Sequence, residues 1–174
     1  VNLKQYLIID GYNIINSWPE LNELKDFSLE IARIKLREIM EDFQAVTNYK
    51  VIIVYDAHHV TGGVGSKQII NGIEVVYTKE GESADSYIER LVKTLVQQDA
   101  VVRVATSDWT EQRVVLGQGA LRISARELLY EVEKVLKDLE RYKSNPGGHR
   151  PTTVESRLND DVREALEKWR RQRE

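Results

Sequence analysis

The chain has 174 residues, 41% hydrophobic and 30% charged, enough apolar material for one domain with a proper core and a small appendage. Its 25 Lys+Arg against 28 Asp+Glu leave a formal net charge of -3, so it is no general basic coat for nucleic acid, and any such contact uses a local patch. Cysteine is absent, which excludes disulfides, thiolate zinc sites and thiol nucleophiles and suits a reducing cytoplasm; no apolar run approaches the roughly 20 residues of a membrane span.

The first strand is Tyr6-Leu7-Ile8-Ile9, a continuous apolar run of the kind buried inside a parallel sheet. It ends on Asp10, turns at Gly11 and reaches Asn13 one turn on. Asp-Gly is also an ordinary turn pair, and that reading stays open for this stretch alone. Residues 16–27, with Trp18-Pro19, read as a loop. Ser28 is a good N-cap for a helix over 29–44, whose Leu29, Ala32, Leu36, Ile39, Met40 and Phe43 step by threes and fours.

A second apolar strand, 51–55, ends on Asp56, followed by Ala57-His58-His59. The two histidines are metal ligands or a loop pair touching substrate. Residues 62–67 carry three glycines and read as a mobile loop beside the strand ends; the Gly-Lys-Ser/Thr ending of a P-loop is missing. A short strand, 73–77, precedes a helix over 83–98 with Asp85 in its first turn, where an acid also simply complements the helix dipole.

The fourth strand, 101–105, leads through Thr106-Ser107-Asp108 to a helix from Trp109 or Thr110. Asp108 is an N-cap, with Glu111 completing a capping-box-like pair, or both cap and site residue. Gly117-Gln118-Gly119 ends that helix, and 121–123 read as an edge strand. Ser124-Ala125-Arg126-Glu127 is a capping box opening a long helix to about residue 142. The chain then divides into a domain over 1–143, a Pro/Gly-rich linker over 144–153 and a helix over 154–174. That helix ends in a basic run containing Trp169, Arg170 and Arg171, either a dipole-matched terminus or a phosphate-backbone contact.

Strands alternating with helical stripes argue for parallel βαβ units with helices on both faces. In a parallel sheet Asp10, Asp56 and Asp108 arrive at one edge, and Asp85 faces it from a helix start. Acids packed together repel unless a cation sits among them, and hard oxygen donors suit Mg²⁺ or Mn²⁺. With no cysteine and one histidine pair in a glycine-rich loop, zinc is a poor match. The pattern points to metal-assisted phosphodiester hydrolysis. Asn13 would orient water or a phosphate oxygen and Ser107 would support the site. Lys79, Arg113, Arg122 and Arg126 are phosphate-contact candidates whose ordinary reading is solvated surface charge.

The ordered set Asp10-Gly11-Tyr12-Asn13, Tyr55-Asp56-Ala57-His58, Glu82-Ser83-Ala84-Asp85, Thr106-Ser107-Asp108, Gly117 to Arg122 and Ser124 to Leu128 resembles the bacterial YacP-like NYN-domain family of the PIN-like ribonuclease superfamily. The resemblance implies a three-layer α/β/α PIN-like domain with a mainly parallel central sheet, plus the C-terminal helical extension. It implies an Mg²⁺- or Mn²⁺-dependent endoribonuclease that cuts mRNA in association with the ribosome, as a cytoplasmic agent of mRNA decay. Carried over by motif, Asp10, Asp85 and Asp108 are the metal-site acids, with Asn13 and Asp56 supporting them. A monomer is the favoured state. The alternative is a catalytically silent RNA- or ribosome-binding adaptor on the same fold. A haloacid-dehalogenase-type phosphatase would need an Asp where Tyr12 stands, and a receiver-like domain would need a lysine after its last strand that cannot be placed.

Overall fold

Leu7, Ile8 and Ile9 alternate between two buried faces, so the strand that carries them must lie inside a sheet covered on both sides. In the computed structural model, which describes residues 2–57 and 62–144, this strand is β1 (Gln5–Asp10). It pairs in parallel with β2 (Tyr49–Tyr55) on one side and β5 (Val101–Ala105) on the other. Outside β2 lies β4 (Ile73–Tyr77), parallel, and then β3 (Ser66–Ile70), antiparallel; outside β5 lies β6 (Leu121–Ile123), parallel. The sheet order is β3-β4-β2-β1-β5-β6.

Helices cover both faces. Leu7 and Ile9 pack under α1 (Gly11–Ser17), α2 (Pro19–Phe27), α3 (Leu29–Val46) and α6 (Ala125–Ser144). Ile8 packs under α4 (Ala84–Gln97) and α5 (Trp109–Gly117). The expected three-layer α/β/α domain with a mainly parallel sheet is therefore the one observed. No helix among the described residues is long and apolar enough to cross a membrane.

Two segments differ from the sequence reading. Residues 16–27 are largely helical: α1 follows β1 without a loop, and Pro19 opens α2 at its first position, where its missing N–H costs nothing and its fixed φ suits a helix. Trp18, between them, is 1% exposed and donates its indole N–H to the carbonyl of Ala125 at 2.8 Å, so the break is a buried anchor. The second difference is that Ser66 and Lys67 already belong to β3. Gly62 and Gly65 adopt positive φ before it, and Asn71 (φ 50°) with Gly72 (φ 85°) turns the chain into β4. Asn-Gly at both left-handed positions is the signature of a tight hairpin. The His58-His59 pair, most of the 144–153 linker, and the terminal helix with Trp169, Arg170 and Arg171 lie outside the described residues.

Gly11 is demanded by a close approach. A Cβ there would lie 2.3 Å from Cε1 and 2.6 Å from Cδ1 of Tyr55, a ring buried to 1% exposure. Gly11→Ala should lower the unfolding free energy by about 1–3 kcal/mol through overpacking, read as a lower urea midpoint at unchanged slope.

Candidate metal centre

The C-terminal ends of β1, β2 and β5 open on one edge because the three strands are parallel and in register. Asp10 is the last residue of β1 and the N-cap position of α1. Asp85 stands in the first turn of α4, whose Ser83 cap accepts from the Ser86 N–H at 3.2 Å. Glu111 stands in the first turn of α5. One carboxylate oxygen from each of Asp10, Asp85 and Glu111 lies within 4.8 Å of the other two.

Asp56 and Asp108 set the positions of these acids. Asp56 Oδ2 accepts from the Ala84 N–H at 3.3 Å, which fixes the start of α4 beside Asp85. Asp108 Oδ1 accepts from the N–H groups of Thr110 (2.9 Å) and Glu111 (3.3 Å), which caps α5. Asn13 Oδ1 accepts from the Ser107 N–H at 2.7 Å, tying α1 to the β5–α5 connection. Ser107 Oγ accepts from the Ala125 N–H at 3.2 Å, so it holds the start of α6. Arg122 donates to Gln112 Oε1 at 3.3 Å and pairs with Glu127 at 3.8 Å. Lys79, Arg113 and Arg126 are exposed.

Sequence reasoning assigns Glu111 only half of a capping box, and here the structure differs. In such a box its carboxylate would accept from the Asp108 N–H. That N–H donates instead to Thr106 Oγ1 at 3.1 Å, and Glu111 is 5% exposed within the acid cluster. One signal could have found it: an acid in the first turn of a helix after a parallel strand faces the strand-end edge, as Asp85 does.

The electrostatics are those of a site built for a cation. Burial raises the Asp10 pKa, repulsion from Asp85 and Asp108 adds to it, and contacts with Glu111 and the Asn13 N–H oppose it. Burial likewise raises Glu111, reinforced by Asp10 and Asp85, with only a weak opposing pull from Thr106. Burial raises Asp85 too; the contact with Glu111 opposes, and Asp108 and Asp56 push further up. Neither Glu111 carboxylate oxygen makes a well-formed hydrogen bond to any described residue. Buried acceptors of this kind call for a proton or a metal. An oxygen-only donor set fits a hard divalent cation.

A mainly parallel sheet between two helical layers, with clustered acids at its strand ends, defines a PIN-like, metal-dependent nuclease domain. The chain belongs to the YacP-like NYN domain family, whose model matches residues 7–171. It is similar to the uncharacterized protein YacP of Bacillus subtilis (strain 168), at 45% identity over 165 residues, 95% of this chain and 96% of that one. It is also similar to the crystal structure of Rae1 (YacP) from Bacillus subtilis, with 43% identity and a TM-score of 0.70 over 98% of this chain and 95% of that one. The crystal structure of a tryptophan-to-leucine mutant of that same protein matches at 39% identity and a TM-score of 0.70, over 94% and 98% of the two chains.

The raised pKa values carry a stability consequence. Without metal, the folded state holds protons on Asp10 and Glu111 that the unfolded state releases above the ordinary carboxylate range, so stability falls as pH rises. In EDTA the melting temperature should be lower at about pH 8 than at about pH 5, and Mg²⁺ or Mn²⁺ should raise it most at the higher pH. Glu111→Gln should raise the metal-free melting temperature at the higher pH and abolish most of the metal-induced gain. Scanning calorimetry in EDTA and in excess metal reads both effects.

Proposed function

We propose that this protein is an Mg²⁺- or Mn²⁺-dependent endoribonuclease that cleaves mRNA in association with the translating ribosome. The observation that carries the reading is the Asp10, Asp85 and Glu111 cluster, in which neither buried Glu111 oxygen has a hydrogen-bond partner among the described residues. Family membership supports RNA as the substrate, and the ribosomal setting rests on that resemblance alone.

Asp10, Asp85 and Glu111 are the proposed ligands. When bound there, the cation supplies Lewis-acid activation of water and of the scissile phosphate. The protein contributes geometry and charge. Asp108 spends Oδ1 on the α5 cap, which holds Glu111 in place, and adds its negative charge to the site. Asp56 does the same for Asp85 through the start of α4. Asn13 acts through the Ser107 backbone and is a positioning residue, with its amide nitrogen left over for a phosphate oxygen. Lys79, Arg113 and Arg126 supply exposed positive charge for the RNA backbone. Trp169, Arg170 and Arg171 extend that role in the terminal segment, and the protein acts as a cytoplasmic monomer.

Asp10→Asn, Asp85→Asn and Glu111→Gln should each keep the fold and lower metal-dependent cleavage by at least about a hundredfold. The deciding assay compares wild type and Asp10→Asn on free mRNA and on mRNA under translation, with Mn²⁺ or EDTA. Cutting that needs metal, Asp10 and ribosomes is the expected result. Full activity of Asp10→Asn would sink the metal-site assignment. Equal cutting of free RNA would remove the ribosome from the mechanism. Ribosome or RNA binding without any cutting would make the protein an adaptor.

A further inference from the structure

A cavity of about 170 Å³ lies between α3 and the β3–β4 hairpin, outside the acid cluster. Its walls include Glu30, Arg33 and Arg37 of α3 and Gln68 of β3; Tyr55 and Tyr77, from the ends of β2 and β4, form its aromatic side. It stands beside the strand-end edge: Tyr55 precedes Asp56, and its ring rests against Gly11, which follows Asp10.

One charged group, Arg33, is held ready against a closed aromatic wall. Tyr55 is 1% exposed, its hydroxyl enclosed by protein and without a hydrogen-bond partner among the described residues. It cannot swing away, because its ring is wedged on Gly11 between Tyr12 (centroids 4.9 Å apart) and Tyr77 (5.3 Å). Arg33 donates to the Tyr12 hydroxyl at 3.2 Å and sits 6.0 Å from the Tyr77 ring centroid. It has no carboxylate partner among the described residues, whereas Arg37 is neutralised by Glu41. The cavity therefore combines the partly exposed Tyr77 ring, a guanidinium without a carboxylate partner, a carboxylate and an amide.

We infer that this cavity is a nucleobase subsite, which takes one unstacked base of a single-stranded RNA laid across the acid cluster; the inference rests on the nuclease reading above. A base presents a planar π face to the partly exposed Tyr77 and an edge of mixed donors and acceptors to Arg33, Gln68 and Glu30. Single-stranded RNA is read in this way, by aromatic stacking and edge hydrogen bonds to splayed bases. A bare phosphate matches poorly. It has no flat face, Glu30 repels it, and Arg37 is already paired.

The test uses the full chain in EDTA, where metal-dependent cleavage does not interfere. GMP, AMP, CMP and UMP are titrated by calorimetry, beside ribose 5-phosphate and inorganic phosphate. At least one nucleotide should bind, and should do so more tightly than either base-free probe. Arg33→Gln should weaken that binding by about tenfold or more. Gln68→Ala should weaken it severalfold while leaving the melting temperature unchanged, since Gln68 lines the cavity from an exposed position of β3. Nucleotides that do not bind, phosphate that binds as well as the best nucleotide, or binding untouched by both variants would each overturn the subsite. Cleavage is measured separately with metal on a panel of RNAs, where Arg33→Gln should raise KM and flatten the choice of cutting site more than it lowers kcat. A wild type that binds bases through Arg33 but cuts no RNA would remove the nuclease reading and leave the subsite. One that cuts RNA but binds no base would do the reverse.

Discussion

Three carboxylates that repel one another are held together in a partly buried place, and much of the local architecture resists their separation. Left free, Asp10, Asp85 and Glu111 would relax toward water, where each ion is better solvated. They are prevented by tethers that end on backbone. Asp10 is fixed by the central strand, paired on both sides. Asp85 follows a helix start held by Asp56, and Glu111 follows one held by Asp108. Asn13 then locks the β1 end against the β5 end through Ser107. The scaffold thus keeps the acids close, and the repulsion is relieved by bound protons or by a divalent cation.

This arrangement imposes an order on binding. The chain carries a net charge of -3 and concentrates acids at the edge where a polyanion would have to lie. A polyanion at that edge is repelled until a cation or protons have compensated the acids.

The sheet and most helices are legible in the sequence because their signals are strong and local. Buried parallel strands read as apolar runs, and amphipathic helices repeat every three or four residues. The 73–77 and 101–105 strands fall where they are expected. The punctuation is harder to read. Trp18-Pro19 looks like a loop unless one knows that Trp18 is buried against α6 and that Pro19 starts a helix. The β3 strand hides in a glycine-rich stretch, although the Asn71-Gly72 turn that follows it has explicit hairpin chemistry. The acids at strand ends are found by topology alone. Glu111 is not, because a helix-capping role explains the same residue at the same place, and only the direction of the Asp108 N–H separates the two.

The sheet order also governs when this protein becomes dangerous to RNA. The first strand of the chain lies in the middle of the sheet, and its neighbour β5 is made only after β2, β3, β4 and α4. Asp10 therefore leaves the ribosome early and waits for Glu111, its partner in the cluster, until most of the domain has been synthesised. Pairings between such distant segments form late and slowly. No fragment that stops short of α5 can bring the three acids together, so the cluster is a property of the nearly finished domain alone.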